Sequence, residues 1–348
     1  MWQNTQYMHN LKRVGISVAV IALGVSIFAG VSLWSLQQYF GTSAHIKQWL
    51  VESQVYPAIQ TEIITQSVNN TAGQGEGITL SEPLVKQALE RSITEAYVRE
   101  SAEQVIDGTY AWLDGTTATP VYEIDVTPVK TAFADSIITS ANTRLKDLPD
   151  CILPDQATTT DPFKVNCNPP ASIRTSELDR LRKEIATNPD FLPQNITAET
   201  YNLDQSAQST AVNVGTPWYE NVSYLPTLFQ WTVRGPVIFL MFGVLSAASI
   251  VLLSTSRRAG VRRTATTVLS SSLALALSSV ALLFTVRYIK GPSQGQSSAL
   301  MDPILEVFRL ASTALGQWQL ITCLVLALIS GGILIGLRFT HKDSQTAK

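Results

Sequence analysis

Four stretches of this chain, residues 14–36, 235–255, 264–286 and 317–337, run for 21 to 23 positions without an Asp, Glu, Lys or Arg. A helix crosses the hydrocarbon core of a bilayer in about 20 apolar residues, and a charge at its centre costs about 2.5–3.5 kcal/mol on insertion scales. The pattern therefore predicts four transmembrane helices. The first run follows Lys12 and Arg13, as a secretory signal would, but it continues through Trp34 to Tyr39 and Phe40. A signal's apolar region is about 7–15 residues long, so residues 14–36 read as an uncleaved anchor.

Between the first two runs, residues 41–230 alternate polar and apolar positions with helical spacing. Ile46, Trp49, Leu50, Val55, Ile59, Ile63 and Ile64 predict a helix over 44–68 that continues the first span or restarts just beyond it. Ser81-Glu82-Pro83 opens a helix with Leu84, Val85, Leu89 and Ile93 on its buried face. Another stripe, from Val98 to Leu113, stops at Asp114-Gly115. Residues 121–126 alternate β-formers with acids and predict a short strand. Thr127-Pro128, as N-cap and first helical residue, then start a helix carrying Val129, Phe133, Ile137, Ile138 and Leu145. Residues 149–175 hold Pro154, Pro162, Pro169 and Pro170 with two cysteines and predict a long loop, 176–185 a further helix, and 188–216 has weak periodicity. Residues 302–315 predict a separate amphipathic helix of about three turns, in the headgroup layer or against the large domain.

Charge sets the orientation. Residues 41–230 contain 24 acids and 12 bases, while the rest of the chain has 13 bases and 3 acids. Such an acidic segment argues against nucleic acid as its partner. Lys12 and Arg13, the loop with Arg257, Arg258, Arg262 and Arg263, and the tail with Arg338, Lys342 and Lys348 supply nine bases. Arg287, Lys290 and Arg309 in the opposite loop supply three. The excess puts both termini and the loop 256–263 in the cytoplasm. The order is then a cytoplasmic segment 1–13, span 14–36, extracytoplasmic domain 41–230, span 235–255, basic loop 256–263, span 264–286, outer loop 287–316, span 317–337 and cytoplasmic tail 338–348. Trp34, Tyr39, Phe40, Tyr224, Trp231, Tyr288 and Trp318 fall at the outer span ends, where amphipathic rings suit the interface. Cys151 and Cys167, sixteen positions apart and both outside, are candidates for a disulfide or stand as two thiols. Cys323 lies within the fourth span as an apolar filler.

The run from Ser101 to Asp107, Tyr110-Ala111-Trp112-Leu113, the strand 121–126 leading into Thr127-Pro128-Val129-Lys130, Leu148-Pro149-Asp150-Cys151 and Cys167-Asn168-Pro169-Pro170 resemble a group of uncharacterised bacterial envelope proteins. Those proteins are similar in having one span, an outer domain with two cysteines, and further spans. The resemblance covers residues 95–175 and the layout. It implies a bacterial plasma-membrane location and no particular activity.

No catalytic set assembles from the residue types. His45 is the one histidine in the outer domain, and no GxSxG elbow accompanies it. Three cysteines and three histidines leave little for a zinc site. Carboxylates are abundant, but spacing selects no pair for glycoside hydrolysis. Glu123 and Asp125 read as a solvated strand edge, and Glu95, Glu100, Glu103 and Asp107 as a wet helix face. Asp147, Asp150, Asp155 and Asp161 lack the EF-hand pattern. The four runs hold no ionisable residue of the kind proton relays use, and no P-loop occurs. Serines 270, 271, 272, 278 and 279 make the third span polar, for close helix approach or for a hydroxyl-lined path. Gly332-x3-Gly336, Ala22-x3-Ser26-x3-Gly30 and Gly243-x3-Ala247 predict helix packing. Arg257 to Arg263 set orientation or bind anionic headgroups. Asn69, Asn195 and Asn221 begin N-x-[ST] sequons.

The sequence thus predicts an α-helical integral membrane protein with four transmembrane helices and a mainly helical extracytoplasmic domain with minor β. The expected role is a non-enzymatic envelope component that binds a protein, glycan or lipid partner and sits in the lipid bilayer, with no cofactor and with oligomers possible. The alternatives are a transporter subunit or channel lined by the third span, and a carboxylate-dependent envelope hydrolase.

Overall fold

The computed structural model describes residues 2–71, 82–152, 163–187, 194–199, 217–288 and 299–346. The fold is all-α with one minor sheet. Its elements are α1 (Trp2–Phe40), α2 (Ser43–Glu52), α3 (Val55–Thr71), α4 (Glu82–Ser92), α5 (Glu95–Leu113), β1 (Glu123–Asp125), α6 (Thr127–Lys146), α7 (Ala171–Thr187), β2 (Asn195–Thr197), α8 (Leu225–Leu253), α9 (Arg257–Tyr288) and α10 (Met301–Thr346). Four helices are long and apolar enough to cross a membrane, over Lys12–Phe40, Leu225–Leu253, Arg257–Thr285 and Met301–Phe339. The chain divides into two compact units. Unit 1 is Met1–Trp49, Tyr224–Ser293 and Leu305–Lys348, and unit 2 is Leu50–Ser223 with Gln294–Ile304.

Unit 2 is built around α6. Val129, Phe133 and Ile137 join Tyr56, Ile64 and Val68 of α3, Val85, Ala88 and Leu89 of α4, and Val98 of α5 in one buried cluster. Ile138, Ala141 and Leu145 join Val165 and the α7 residues Leu178 and Leu181 in a second. A helix apolar on two faces has to be covered on both, which is why α6 is the centre of this unit. Its start differs from expectation. Val126 takes the N-cap position without a side-chain bond, and the Thr127 N–H donates to Asp125 Oδ1 at 2.9 Å. That hydrogen bonding from Thr127 holds the Asp125 carboxyl below its usual range.

The stripe over 44–68 is interrupted. Gln54 adopts φ 56°, between α2 and α3, and its N–H bonds to Val51 O at 3.1 Å. The predicted strand is real but short, and its partner was not foreseen: Glu123, Ile124 and Asp125 pair antiparallel with Thr197, Ile196 and Asn195. Three residues in each strand are too few to leave a periodic signal in the sequence. α5 starts on Thr94, whose side chain accepts from Tyr97 N, and ends at Asp114 and Gly115 as expected. Cys151 and Cys167 form a disulfide with Cα atoms 4.9 Å apart. Gly73 to Gly77, Pro154, Asp155, Asp161, Pro162, most of 188–216, Lys290 and Lys348 lie outside the described residues. The side chains of Asn69, Arg287 and Lys342 are likewise not described.

In unit 1 α1 packs antiparallel to α8 and parallel to α9, where Gly24 lies against Ser271 and Val31 against Leu275. Gly15 lies against Leu253, Gly243 against Ser26 and Leu23, and Gly30 against Phe239, so α1 and α8 run in opposite directions along their length. The α8–α9 connection is tighter than the predicted loop 256–263. Ser256 Oγ accepts from Ala259 N at 3.2 Å as an N-cap, and α9 begins at Arg257, so the four arginines ride on its first two turns. The amphipathic segment 302–315 is likewise not a separate element, because α10 is continuous from Met301 to Thr346. Gly316 is no break: a Cβ there would meet Leu283 Cγ at 2.8 Å, so the glycine admits α9 instead of ending a helix.

Of the predicted packing glycines, Gly30 and Gly243 lie at the α1–α8 contact, whereas Gly332 and Gly336 need a correction. A Cβ at Gly332 or Gly336 would meet no atom within 4 Å, so neither lets another helix of this chain approach. Contact falls on the face of α10 that carries Gln319 and Cys323, and 332 and 336 project elsewhere. At Gly260 the opposite holds. A Cβ would lie 2.7 Å from Val251 Cα, a backbone atom that cannot swing aside. Gly260→Ala is therefore expected to destabilise unit 1 by about 1–3 kcal/mol. Gly332→Ala, inside an open helix face, is expected to be neutral or to gain up to about 1 kcal/mol. Thermal unfolding of both variants in one detergent checks the opposite signs.

Candidate functional site

The predicted chemistry of unit 2 resolves mostly into structure. Glu123 Oε1 accepts from Asn195 Nδ2 at 2.6 Å across the β pair, and Asp125 Oδ1 accepts from the N–H of Thr127, the first residue of α6. Glu103 pairs with Arg99 at 2.8 Å on the surface of α5. Asp150 Oδ1 accepts from Asn168 Nδ2 at 3.1 Å, and Arg174 Nη1 donates to Asn168 Oδ1 at 2.6 Å, beside the disulfide. Among the described residues no three His, Cys, Asp or Glu side chains gather. Buried groups that the sequence did not single out include Lys130, 1% exposed within the α6 core, and Tyr56, whose hydroxyl is buried without a hydrogen bond. Burial, followed by the Glu103 charge, pushes the Tyr56 phenol up. Trp112, Trp218 and Tyr219 stack edge to face at 5.9–6.4 Å and hold residues 217–219 to α5.

In unit 1, His45 is ring-packed between Tyr39 at 5.3 Å and Trp49 at 6.2 Å, half-buried instead of freely exposed. No nucleophile–base pair is built on it, because its neighbours are aromatic. The serines of α9 turn inward to their own helix. Ser270, Ser272 and Ser278 donate to carbonyls three residues back, and Ser279 donates to Leu275 O. Ser272 and Ser279 are 1% exposed. Ser271 Oγ would lie 3.3 Å from a Cβ at Gly24, where α1 and α9 come close. Hydroxyls bonded one turn back permit close packing and leave little free hydrogen-bonding capacity for a hydrated path.

Ser279 also bridges two helices of unit 1: its Oγ lies 2.8 Å from Gln319 Oε1 and 2.9 Å from Leu275 O, so one hydroxyl proton is shared between two acceptors and ties α9 to α10. Ser279→Ala is expected to cost about 0.6–1.7 kcal/mol, the range found for hydrogen bonds between membrane helices. A double-mutant cycle with Gln319→Leu reads it, and a coupling of zero would remove the bond from the account of α10 docking.

α10 otherwise meets the bundle through long side chains. Trp318 packs edge to face on Trp34 at 6.5 Å, and Cys323 is buried with Val31 and Leu275. This stand-off leaves an apolar cavity of about 510 Å³ between α1, α8 and α10. Leu23, Ile27, Val31, Phe239, Val244 and Leu326 form its walls, and Trp34 and Gln37 lie toward one end. From Leu23 to Gln37 the groove follows α1 for roughly 21 Å at 1.5 Å per residue. Its size is within the range of about 300–1,000 Å³ common for ligand pockets. Its polar atoms are few: Thr322 Oγ1 is occupied with Trp318 O, and Ser26 is the other hydroxyl.

The antiparallel order also brings the predicted topology residues together. The α1 segment with Lys12 and Arg13 begins beside the end of α8, where Gly15 meets Leu253, and Arg257, Arg258, Arg262 and Arg263 follow within ten residues. Arg258, Arg262 and Arg263 with Leu337 line a second, open pocket at this end.

No family model, curated protein or solved structure matches this chain. The resemblance over residues 95–175 thus stands on those residues alone, and what the comparisons leave in place is a helical protein with four helices of membrane-spanning length and composition.

Proposed function

We propose that this chain is a four-span protein of a bacterial plasma membrane whose role is to bind an amphiphile with a long apolar chain, without turning it over. Both termini and the α8–α9 turn are cytoplasmic in this reading, and residues 50–223 are extracytoplasmic. The orientation is supported by nine bases at one end; Arg234, near the outer end of α8, raises the opposing number to four and leaves the bias intact. The reading is carried by the α1/α8/α10 groove. It is long, apolar and open along the helices, the shape that accepts an acyl or isoprenoid chain with its polar end beside Trp34 and Gln37.

The test is the lipid that travels with the protein. Full-length chain purified in mild detergent should carry one amphiphile enriched over the bulk membrane lipid, identified by mass spectrometry. Val244→Trp, which places an indole into the groove from a 62%-exposed position, should reduce it several-fold with the unfolding temperature kept. A co-purifying mixture equal to bulk lipid, or one indifferent to Val244→Trp, would sink the proposal, and a crosslinked protein or glycan on unit 2 in its place would move the ligand there. Orientation has its own check in reporter fusions at residue 75, Thr255 and the C terminus, expected to report outside, inside and inside. Thr255 is the right position for the second because Gly260 is enclosed by Val251 and Ser254.

A further inference from the structure

The arginines of α9 are placed against electrostatic preference. Arg257, Arg258, Arg262 and Arg263 occupy its first two turns, at the positive end of the helix dipole. Arg258 and Arg262 are also one turn apart, where like charges repel. Among the described residues none of Arg258, Arg262 and Arg263 has an ion pair or hydrogen-bonded partner through its side chain. Asp302 and Glu306 lie at the start of α10, some 31 residues or roughly 46 Å of helix from Leu337. Asp343, six residues beyond Leu337, is one carboxylate against the four arginines at the start of α9 together with Arg338 and Lys342 on its own helix. A concentration of cations in such excess over its counter-charge, at a helix N-terminus, is stabilised by an anion from outside the chain.

The shape says which anion. Arg258, Ala259, Arg262, Arg263 and Thr266 of α9 and Leu337 of α10 line an open pocket of about 620 Å³. Thr266 Oγ1 donates to Arg263 O at 2.8 Å, so the donors facing an anion are the guanidinium groups, whose planar forks suit phosphate. Ala259 and Leu337 give the same pocket an apolar wall, which a free phosphate has no use for and a glycerol backbone with its first methylenes does. Arg257, next in sequence, does not line it: one residue is 100° around the helix, and its charge points away from this face.

We propose that this pocket binds the phosphate headgroup of an anionic phospholipid. The proposal rests on the membrane reading above but not on the groove, which lies among other residues. It is tested on the full chain in a neutral detergent by native mass spectrometry with added phosphatidylglycerol, phosphatidylcholine and inorganic phosphate. Phosphatidylglycerol is expected to bind about tenfold or more tightly than phosphatidylcholine. The double variant R262Q/R263Q should abolish that preference, R262K/R263K should retain part of it, and R257Q should change it less than about twofold. Equal affinity for the two lipids, or loss by R257Q as large as by the double variant, would overturn the site in favour of diffuse charge. Displacement of phosphatidylglycerol by an equal concentration of inorganic phosphate would make it a free-phosphate site and overturn the lipid assignment. Recovery of the chain in the soluble fraction after alkaline washing is a different failure, that of the membrane reading itself. Unchanged unfolding temperatures of the glutamine variants separate a lost site from a lost fold.

Discussion

Phe133→Ala is expected to lower the stability of residues 50–223 by about 3–5 kcal/mol, the usual cost of emptying a buried aromatic position. Phe133 is 2% exposed and sits with Val129 and Ile137 on the α6 face that holds α3, α4 and α5. The adjacent residues Ala134 and Ile137 are fully buried, so the surroundings have little room to close over the void. Thr131→Ala on the exposed side of the same helix is the control, expected within about 0.5 kcal/mol of the parent. Amide exchange of peptides covering 127–146 in the full chain measures both. Protection in Phe133→Ala equal to that in Thr131→Ala would show that α6 is not what holds this unit.

Opening the disulfide should have the next largest effect. Cys151 and Cys167 close a loop of sixteen residues, which in the chain-entropy account stabilises by about 3 kcal/mol through the unfolded state. The base of that loop is also clipped without covalent help: Asn168 N donates to Pro149 O at 2.8 Å, Cys151 N to Asn168 O at 3.2 Å, and Arg174 reaches Asn168. Cys151→Ser/Cys167→Ser should therefore retain the fold and lower its unfolding midpoint. Thiol titration under denaturing conditions should find one reactive thiol, Cys323, before reduction and three after. A midpoint for the parent that reductant leaves unmoved would remove the disulfide from the stability of unit 2.

Much of the helical layout could be read from residue order. The apolar runs at 14–36, 264–286 and 317–337 fall inside helices and 235–255 overruns the end of α8 by two residues, and the stripe Val129-Phe133-Ile137 marked the central helix of unit 2 by its period alone. Cys151 and Cys167 could be nominated but not paired. Other features escaped. β2 pairs with β1 across 70 residues, and three-residue strands carry no periodic signal. The loop assigned to 256–263 shrank to Ser254–Ser256 because Ser256 caps α9 at once, a side-chain geometry that competes with other local choices for serine. α10 continues where a boundary at 316 was expected, since the only sign of a break was a glycine that serves Leu283.

The candidate sites show the same division more sharply. That Arg258, Arg262 and Arg263 are cations near a span end is a property of the sequence. That they share a pocket with Leu337, some 75 residues later, and that Arg257 does not, depends on the rotation of α9 and on where α10 ends. Likewise Gly332 and Gly336 have the spacing of a packing motif without the contacts, Gly30 and Gly243 have both, and Gly260 and Gly316 have the contacts without the spacing.

The sequence by itself determined which segments are helices long and apolar enough for a bilayer, because transfer free energy adds along some twenty neighbouring residues and needs no partner. Only the tertiary structure decided which helix faces meet, leaving a groove where α10 stands off and a cationic pocket where α9 begins. Contact between residues far apart in the chain depends on the rotation of each helix about its axis, and each residue turns that axis by 100°.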